Sequence, residues 1–298
     1  MDRMITQIYE LAKNRDMAKV REHGDDDFSF AVPKLSRFRV NALRQRGSLG
    51  LVIRVVSFAL PDRTVLGIPD SVMNFASCSR GLVLFTGPAG SGKTTTLACI
   101  VDAINTNRNL HVITIEDPIE YLHQHKMSVV TQRELATDTT SYDAALRAAL
   151  REAPDVILVG EMRDAETIKA AVTAAETGHL VISTLHTLGA SNTIDRIVDS
   201  FPPEQQQQIR TQLALVIEGV VSQQLVPAKD GSLIPAFEVM TVTPAVRNMI
   251  RESKAHQLDN VISSSAADGM ISMDQSLLQL VKAGRRLRLD AGGRVPAL

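Results

Sequence analysis

Gly87-Pro-Ala-Gly-Ser-Gly-Lys-Thr94 is the stretch on which the fold turns. It fits the pattern GxxxxGK[ST] in full, follows the apolar run Leu82–Thr86 and opens the segment Lys93–Asn105, which reads as a helix. An apolar strand, a glycine-rich loop and a helix in that order form a cradle for phosphate. The glycines let backbone N–H groups turn inward around phosphate oxygens. A lysine at position 93 reaches the β- and γ-phosphates, and a hydroxyl at position 94 is offered to Mg²⁺. The helix start points its positive dipole end at the anion. Gly87, Pro88, Ala89, Gly90, Ser91, Gly92, Lys93, Thr94 and the adjoining Thr95 are the expected phosphate-binding residues. A nucleoside triphosphate, with ATP as the expected one, is the ligand this predicts.

Strands and helices alternate downstream of the loop. His111–Ile115, Val156–Val159 and Leu180–Thr184 read as short apolar strands, and Tyr142–Glu152 and Ala165–Glu176 as helices. Such alternation predicts an α/β fold with a mostly parallel sheet covered by helices. Beyond Ser191 the chain reads mainly helical, with strand-like Val220–Val226 and Ala236–Met240. Upstream the pattern differs. Met1–Val20 reads as one amphipathic helix. Asp27–Val32, Arg37–Leu43 and Leu51–Val56 then alternate with period two, with a turn expected at Gly47-Ser48. The organisation expected is a small α+β unit over residues 1–57, a Pro- and Gly-punctuated linker over 58–70, the nucleotide-binding domain over 71–284 and a disordered tail over 285–298.

Phosphoryl transfer needs an acid for the metal and a group that polarises water. Asp155-Val-Ile-Leu-Val-Gly-Glu161 reads as a buried strand ending in an acid, and Glu161 is the residue expected beside Mg²⁺. Ile113-Thr-Ile-Glu-Asp-Pro-Ile-Glu120 is a second strand, which Pro118 stops, so Glu116, Asp117 and Glu120 gather at its carboxyl end, where open α/β sheets bind ligands. His179 and His186 flank the strand 180–184. They read either as structural histidines or as sensors of the γ-phosphate.

Bulk properties narrow the field. The 298 residues carry 32 basic and 33 acidic side chains, a formal charge of -1. That balance argues against a dedicated nucleic-acid partner, which demands a basic surface. No apolar run reaches the length of a membrane span, and none is expected to cross a bilayer. Cys78 and Cys99 form neither a CxxC pair nor a zinc spacing.

Taken together the segments resemble the secretion and pilus ATPases of the RecA-like type, and within them the PilT-type retraction ATPases of type IV pili. Gly87–Thr94 resembles the Walker A loop, Thr114–Glu120 the aspartate box, Asp155–Asp164 the Walker B element and Thr177–Thr187 the histidine box. Ala245–Arg251 is similar to the AIRNLIR signature of the retraction branch. The resemblance implies a RecA-like P-loop domain behind a small, truncated α+β domain with an unpaired sheet edge, since family members begin with further strands. It implies an ATP-hydrolysing homo-hexamer that powers pilus retraction and twitching motility. Such a ring works with Mg²⁺ and an inner-membrane platform protein, on the cytoplasmic face of the membrane. Glu120 is then the water-activating glutamate, Glu161 the Walker B acid, and His179 and His186 members of the catalytic set. Arg37, Arg39 and Arg54 are candidate arginine fingers. A secretion or pilus-extension ATPase, or a non-hydrolysing nucleotide-binding subunit of a ring, are the alternative roles.

Overall fold

Two runs of period-two sequence zip into a hairpin because Arg46 and Gly47 both take positive φ, 48° and 80°, the turn geometry that matches strand twist. The turn thus sits one residue earlier than expected, and Ser48 already pairs with Gln45. The structure, a computed structural model, describes residues 2–13, 15–32, 35–56 and 59–285. Strands β1 (Asp25–Val32), β2 (Ser36–Gln45) and β3 (Ser48–Val56) form an antiparallel sheet in that order. Helices α1 (Asp2–Leu11) and α2 (Ala18–His23) cover one face of it. Phe28, Phe30, Val40 and Ala42 pack there on Ile5, Tyr9 and Val20.

The single helix expected over 1–20 is two. The chain leaves α1 through positive φ at Lys13, and Arg15 then grips the Asp26 carboxylate through Nε and Nη2 at 2.8 and 2.9 Å. Asp16 caps the start of α2 by accepting from the Ala18 amide. The other face of the sheet carries Ser29, Arg37, Arg39 and Arg54, in the alternation that strand pleating imposes, and it turns toward the rest of the chain.

The segment expected as linker contains structure within its described part. Asp62 caps a short helix, α3 (Arg63–Leu66), which ends at Gly67 with φ 70°, and α4 (Asp70–Met73) follows. The remaining strands are β4 (Gly81–Thr86), β5 (His111–Glu116), β6 (Val129–Glu134), β7 (Val156–Val159), β8 (Leu180–Leu185), β9 (Ile217–Pro227) and β10 (Leu233–Thr241). They make one sheet in the order β10-β9-β4-β8-β7-β5-β6. All neighbours are parallel except β9 and β10. β6 has no counterpart in the sequence reading, because an edge strand starting Val129-Val130 and continuing Thr-Gln-Arg-Glu lacks both the apolar run and the alternation.

Helices cover both faces. On one lie α6 (Tyr142–Ala149), α7 (Ala165–Glu176), α8 (Ala190–Asp199), α9 (Pro203–Val216), α10 (Pro244–Arg251) and α11 (Leu258–Ser264), and on the other α4 and α5 (Lys93–Asn107). β4 shows how the strands serve both layers: Leu82 and Leu84 enter the first core, Val83 and Phe85 the second. This is why buried parallel strands read as unbroken apolar runs. Helix α12 (Met273–Lys282) closes the edge by laying Met273, Leu277 and Leu280 on Val226 and Ala236. The tail expected over 285–298 lies outside the described residues apart from Arg285. Among the described residues no helix is long and apolar enough to cross a membrane.

Candidate nucleotide site

At the carboxyl end of β4 the backbone turns so tightly that only glycine fits. Gly87 has φ +137°, and a Cβ there would lie 2.1 Å from the Gln223 carbonyl oxygen on β9. Gly92 ends the loop at φ +86° and hands over to α5. Gln223, itself buried, accepts a 2.8 Å hydrogen bond from Thr96 Oγ1, so β9 braces both the loop and the first turn of the helix.

Lys93 is buried beneath the loop, and its ammonium donates to the Gly87 and Pro88 carbonyls at 2.7 and 2.9 Å. Burial pulls its pKa below the ordinary lysine value, and the nearby Glu161 carboxylate opposes that shift. Among the described residues no carboxylate forms an ion pair with it. Ser91 Oγ is buried and has no hydrogen-bond partner. An orphaned hydroxyl and a buried cation resting on carbonyls, at the N-terminus of α5, fit an anionic phosphate chain.

The pocket in front of this loop has a volume of about 460 Å³ and a wall of acids. Glu116, Asp117 and Glu120 reach it from the end of β5 and the loop that follows, and Glu161 from just beyond β7. Glu116 accepts from Thr114 Oγ1 at 2.7 Å and Gln132 Nε2 at 3.2 Å. Burial nevertheless lifts its pKa to about 7, and the Glu120 charge adds to the rise. Glu161 is held by Arg163 at 2.5 Å and by His186 Nε2 at 3.3 Å. The Thr184 hydroxyl donates to the Gly160 carbonyl at 2.6 Å and pins the ends of β7 and β8 together. Gly160 is glycine for space, since a Cβ would meet the Tyr142 hydroxyl at 2.9 Å. Burial and the Glu161 and Asp117 charges raise the Tyr142 pKa, which keeps a neutral phenol in this acidic corner.

The donors suit Mg²⁺. The described residues contain no cluster of three or more His, Cys, Asp or Glu able to hold a metal alone. A hard cation held by substrate phosphates needs only one or two protein oxygens, and the Thr94 hydroxyl and the Glu161 carboxylate line the same pocket.

Of the residues expected from the sequence, Ala89 through Thr95, Glu120, Glu161 and His186 line this pocket. Thr95 Oγ1 shares a 3.1 Å hydrogen bond with the Tyr121 hydroxyl. His179 does not join them. It precedes β8 while His186 follows it, about 20 Å away at the rise of a strand, and its Nδ1 lies 3.0 Å from the Ala174 carbonyl at the end of α7. Of the two histidines, only His186 lines the nucleotide pocket of its own chain. Nor do the three arginines line it. Arg37 pairs with Glu134 at 3.3 Å and Arg39 with Asp27 at 2.8 Å. Arg54 stands exposed opposite Arg39. Arg163, Tyr142, Tyr121 and Gln223 belong to the site and were not singled out. Arg163 lies inside the motif segment Asp155–Asp164 and was legible there. Gln223 carries no local signal, because only the β4–β9 pairing brings it under the loop.

The model of the type II/IV secretion system protein family matches residues 1–261. The chain belongs to that family. It is 46% identical over 284 residues to the type IV pilus retraction ATPase PilT of Pseudomonas aeruginosa, covering 95% of this chain and 83% of that protein. A twitching motility protein of Neisseria gonorrhoeae is 49% identical over 259 residues, covering 87% of this chain and 69% of the relative. Among solved structures, the pilus retraction motor PilT with bound ADP superposes with a TM-score of 0.85 at 46% identity, covering 94% of this chain and 80% of that one.

Proposed function

We propose that this protein is a Mg²⁺-dependent ATPase that powers retraction of type IV pili, and with it twitching motility. The observation that carries the reading is the phosphate cradle, with its buried Lys93 and orphaned Ser91 hydroxyl, facing Glu116, Glu120 and Glu161 across one pocket. The retraction ATPase of Pseudomonas aeruginosa and the ADP-bound retraction motor supply the role.

The loop amides and Lys93 bind the phosphates of ATP, and Lys93 exchanges its two carbonyl contacts for phosphate oxygens. Thr94 and Glu161 would hold Mg²⁺, which would neutralise charge on the phosphate oxygens. Glu120 orients the attacking water and takes its proton, and His186 and Tyr142 donate toward the oxygens of the transferred group. Among the described residues, no arginine of the chain's own small sheet lines the pocket, so the reading includes a homo-hexameric ring in which a neighbour's small domain supplies one, from among Arg37, Arg39 and Arg54. The ring docks on an inner-membrane pilus platform protein from the cytoplasmic side. Closure of the small domain over ATP is the movement passed to that partner.

The test is filament retraction in cells whose sole copy carries Lys93→Ala. Loss of retraction with the protein present at normal level is expected, and normal retraction would sink the reading.

A further inference from the structure

Glu134 ends the edge strand β6, in register with Glu116 at the end of β5. Its carboxylate is buried, and it collects donors from three separate parts of the chain. Ser29 Oγ of β1 donates to Oε1 at 2.6 Å. Arg37 of β2 approaches Oε2 at 3.3 Å. The backbone amide of Ile119, in the acidic loop after β5, donates to the same Oε2 at 3.1 Å. Thr137 Oγ1 is a fourth, weaker donor at 3.4 Å. One carboxylate thus joins the small sheet to the loop whose next residue is Glu120.

The joint is stiff for physical reasons. A buried carboxylate holds its donors tightly because each lost partner leaves a desolvated polar group. Arg37 has no second ionic partner among the described residues, and its Nε is buried without an acceptor. Ile119 is itself buried, so its amide has no water to turn to. A second electrostatic link runs beside the first, since the Asp117 and Glu134 charges add to the larger effect of Asp27 in raising the Arg39 pKa. Movement of the small sheet relative to the nucleotide domain must carry the acidic loop with it or break these bonds.

We propose that Glu134 is a positioning residue for ATP hydrolysis: by holding Ser29 and Arg37 on one side and the Ile119 amide on the other, it makes the placement of Glu120 follow the position of the small domain. Glu134 does not line the nucleotide pocket. The inference rests on the ATPase reading and adds to it the route by which domain closure and water activation are joined.

The test is steady-state hydrolysis of Mg-ATP by the full chain, with binding of a fluorescent ATP analogue and the thermal midpoint measured beside it. Glu134→Gln keeps the size of the side chain and removes the negative charge that faces Arg37. Ser29→Ala removes one hydroxyl from the small-domain side, and Ser29→Thr restores it. We expect kcat to fall about tenfold in Glu134→Gln, the scale of one lost buried contact. A fall of a few-fold is expected in Ser29→Ala and recovery in Ser29→Thr, with KM and analogue affinity within about twofold throughout. A lowered midpoint with unchanged kcat in Glu134→Gln and Ser29→Ala would reduce the joint to domain cement and overturn the proposal. If Glu134→Gln does not fold, the Ser29 pair decides by the same criterion. Wild-type protein that binds the analogue and turns over no ATP at any concentration overturns the ATPase reading and this inference with it.

Discussion

The Arg163 guanidinium closes on the Glu161 carboxylate at 2.5 Å, while its own side chain remains 72% exposed. The acid proposed for Mg²⁺ is thus paired with a cation that reaches in from solvent. His186 Nε2 takes the other oxygen at 3.3 Å. An exposed partner of this kind contributes little to stability because water screens it and a long side chain must be ordered. It would compete with Mg²⁺ for the same oxygens. Arg163→Ala is expected to leave the fold intact and to lower the Mg²⁺ concentration for half-maximal hydrolysis about two- to fivefold, the range of one screened ion pair. Titration of Mg²⁺ at fixed ATP reads this directly. An unchanged or raised requirement would mean that the arginine serves the phosphates and not the acid.

The phosphate loop offers a contrast between two glycines. Gly87 has φ +137° and no room, with the Gln223 carbonyl 2.1 Å from where a Cβ would stand. Gly90 has φ +78° and open space. Gly90→Ala therefore carries only the backbone strain of a left-handed residue, about 1 kcal/mol. Gly87→Ala adds a clash against the backbone of a central strand, for a total of about 3 kcal/mol or more. Urea denaturation of the two variants checks the difference. Equal losses would mean that β9 moves aside freely.

Glu116 gives the stability a pH dependence with a definite sign. Burial raises its pKa to about 7 in the fold, whereas the unfolded chain ionises it near the ordinary carboxylate value. Below that value both states hold the proton and nothing is lost. As pH rises toward 7 the folded state alone keeps it, so the group's contribution falls and then levels above pH 7. The loss amounts to roughly 1–3 kcal/mol for a shift of this size partly screened by solvent. Glu116→Gln removes the step. Denaturation of nucleotide-free protein at pH 5 and pH 8 should show the wild type losing stability relative to the variant. Parallel behaviour of the two would refute the assignment.

The parallel sheet was legible because its strands are buried on both faces, which leaves unbroken apolar runs such as Leu82–Thr86 and Val156–Val159 between helical stretches. The phosphate-loop motif was legible because its pattern is local, with all its expected residues lying within nine positions. What escaped was decided by partners distant in sequence. Gln223 sits 136 positions after Gly87 and reaches it only through strand pairing. Glu134 ends an edge strand with little apolar pattern, and its donors Ser29 and Ile119 lie on either side of the domain junction. His179 and His186 look adjacent in the motif but stand at opposite ends of β8, and only His186 reaches the pocket of its own chain.

The face of the small sheet that turns toward the nucleotide domain sets the last expectation. Arg37 and Arg39 of β2 and Arg54 of β3 share that face, with Arg39 directly across from Arg54. Glu134 occupies Arg37 and Asp27 occupies Arg39, while Arg54 has no ion pair among the described residues and stands exposed. Two like charges side by side are unfavourable unless an anion is shared, and a triphosphate brought by a second copy of the chain would serve. Among the described residues, none of the small sheet lines the pocket of its own chain. Arg54→Ala should therefore remove hydrolysis while leaving analogue binding unchanged, whereas Lys93→Ala removes binding. Each variant keeps what the other lacks, so mixing the two inactive proteins should restore activity in part, and the recovered rate should rise more steeply than linearly with protein concentration. A mixture as inactive as its components, with both variants folded and able to associate, would place the arginine's work within its own chain or nowhere in the reaction.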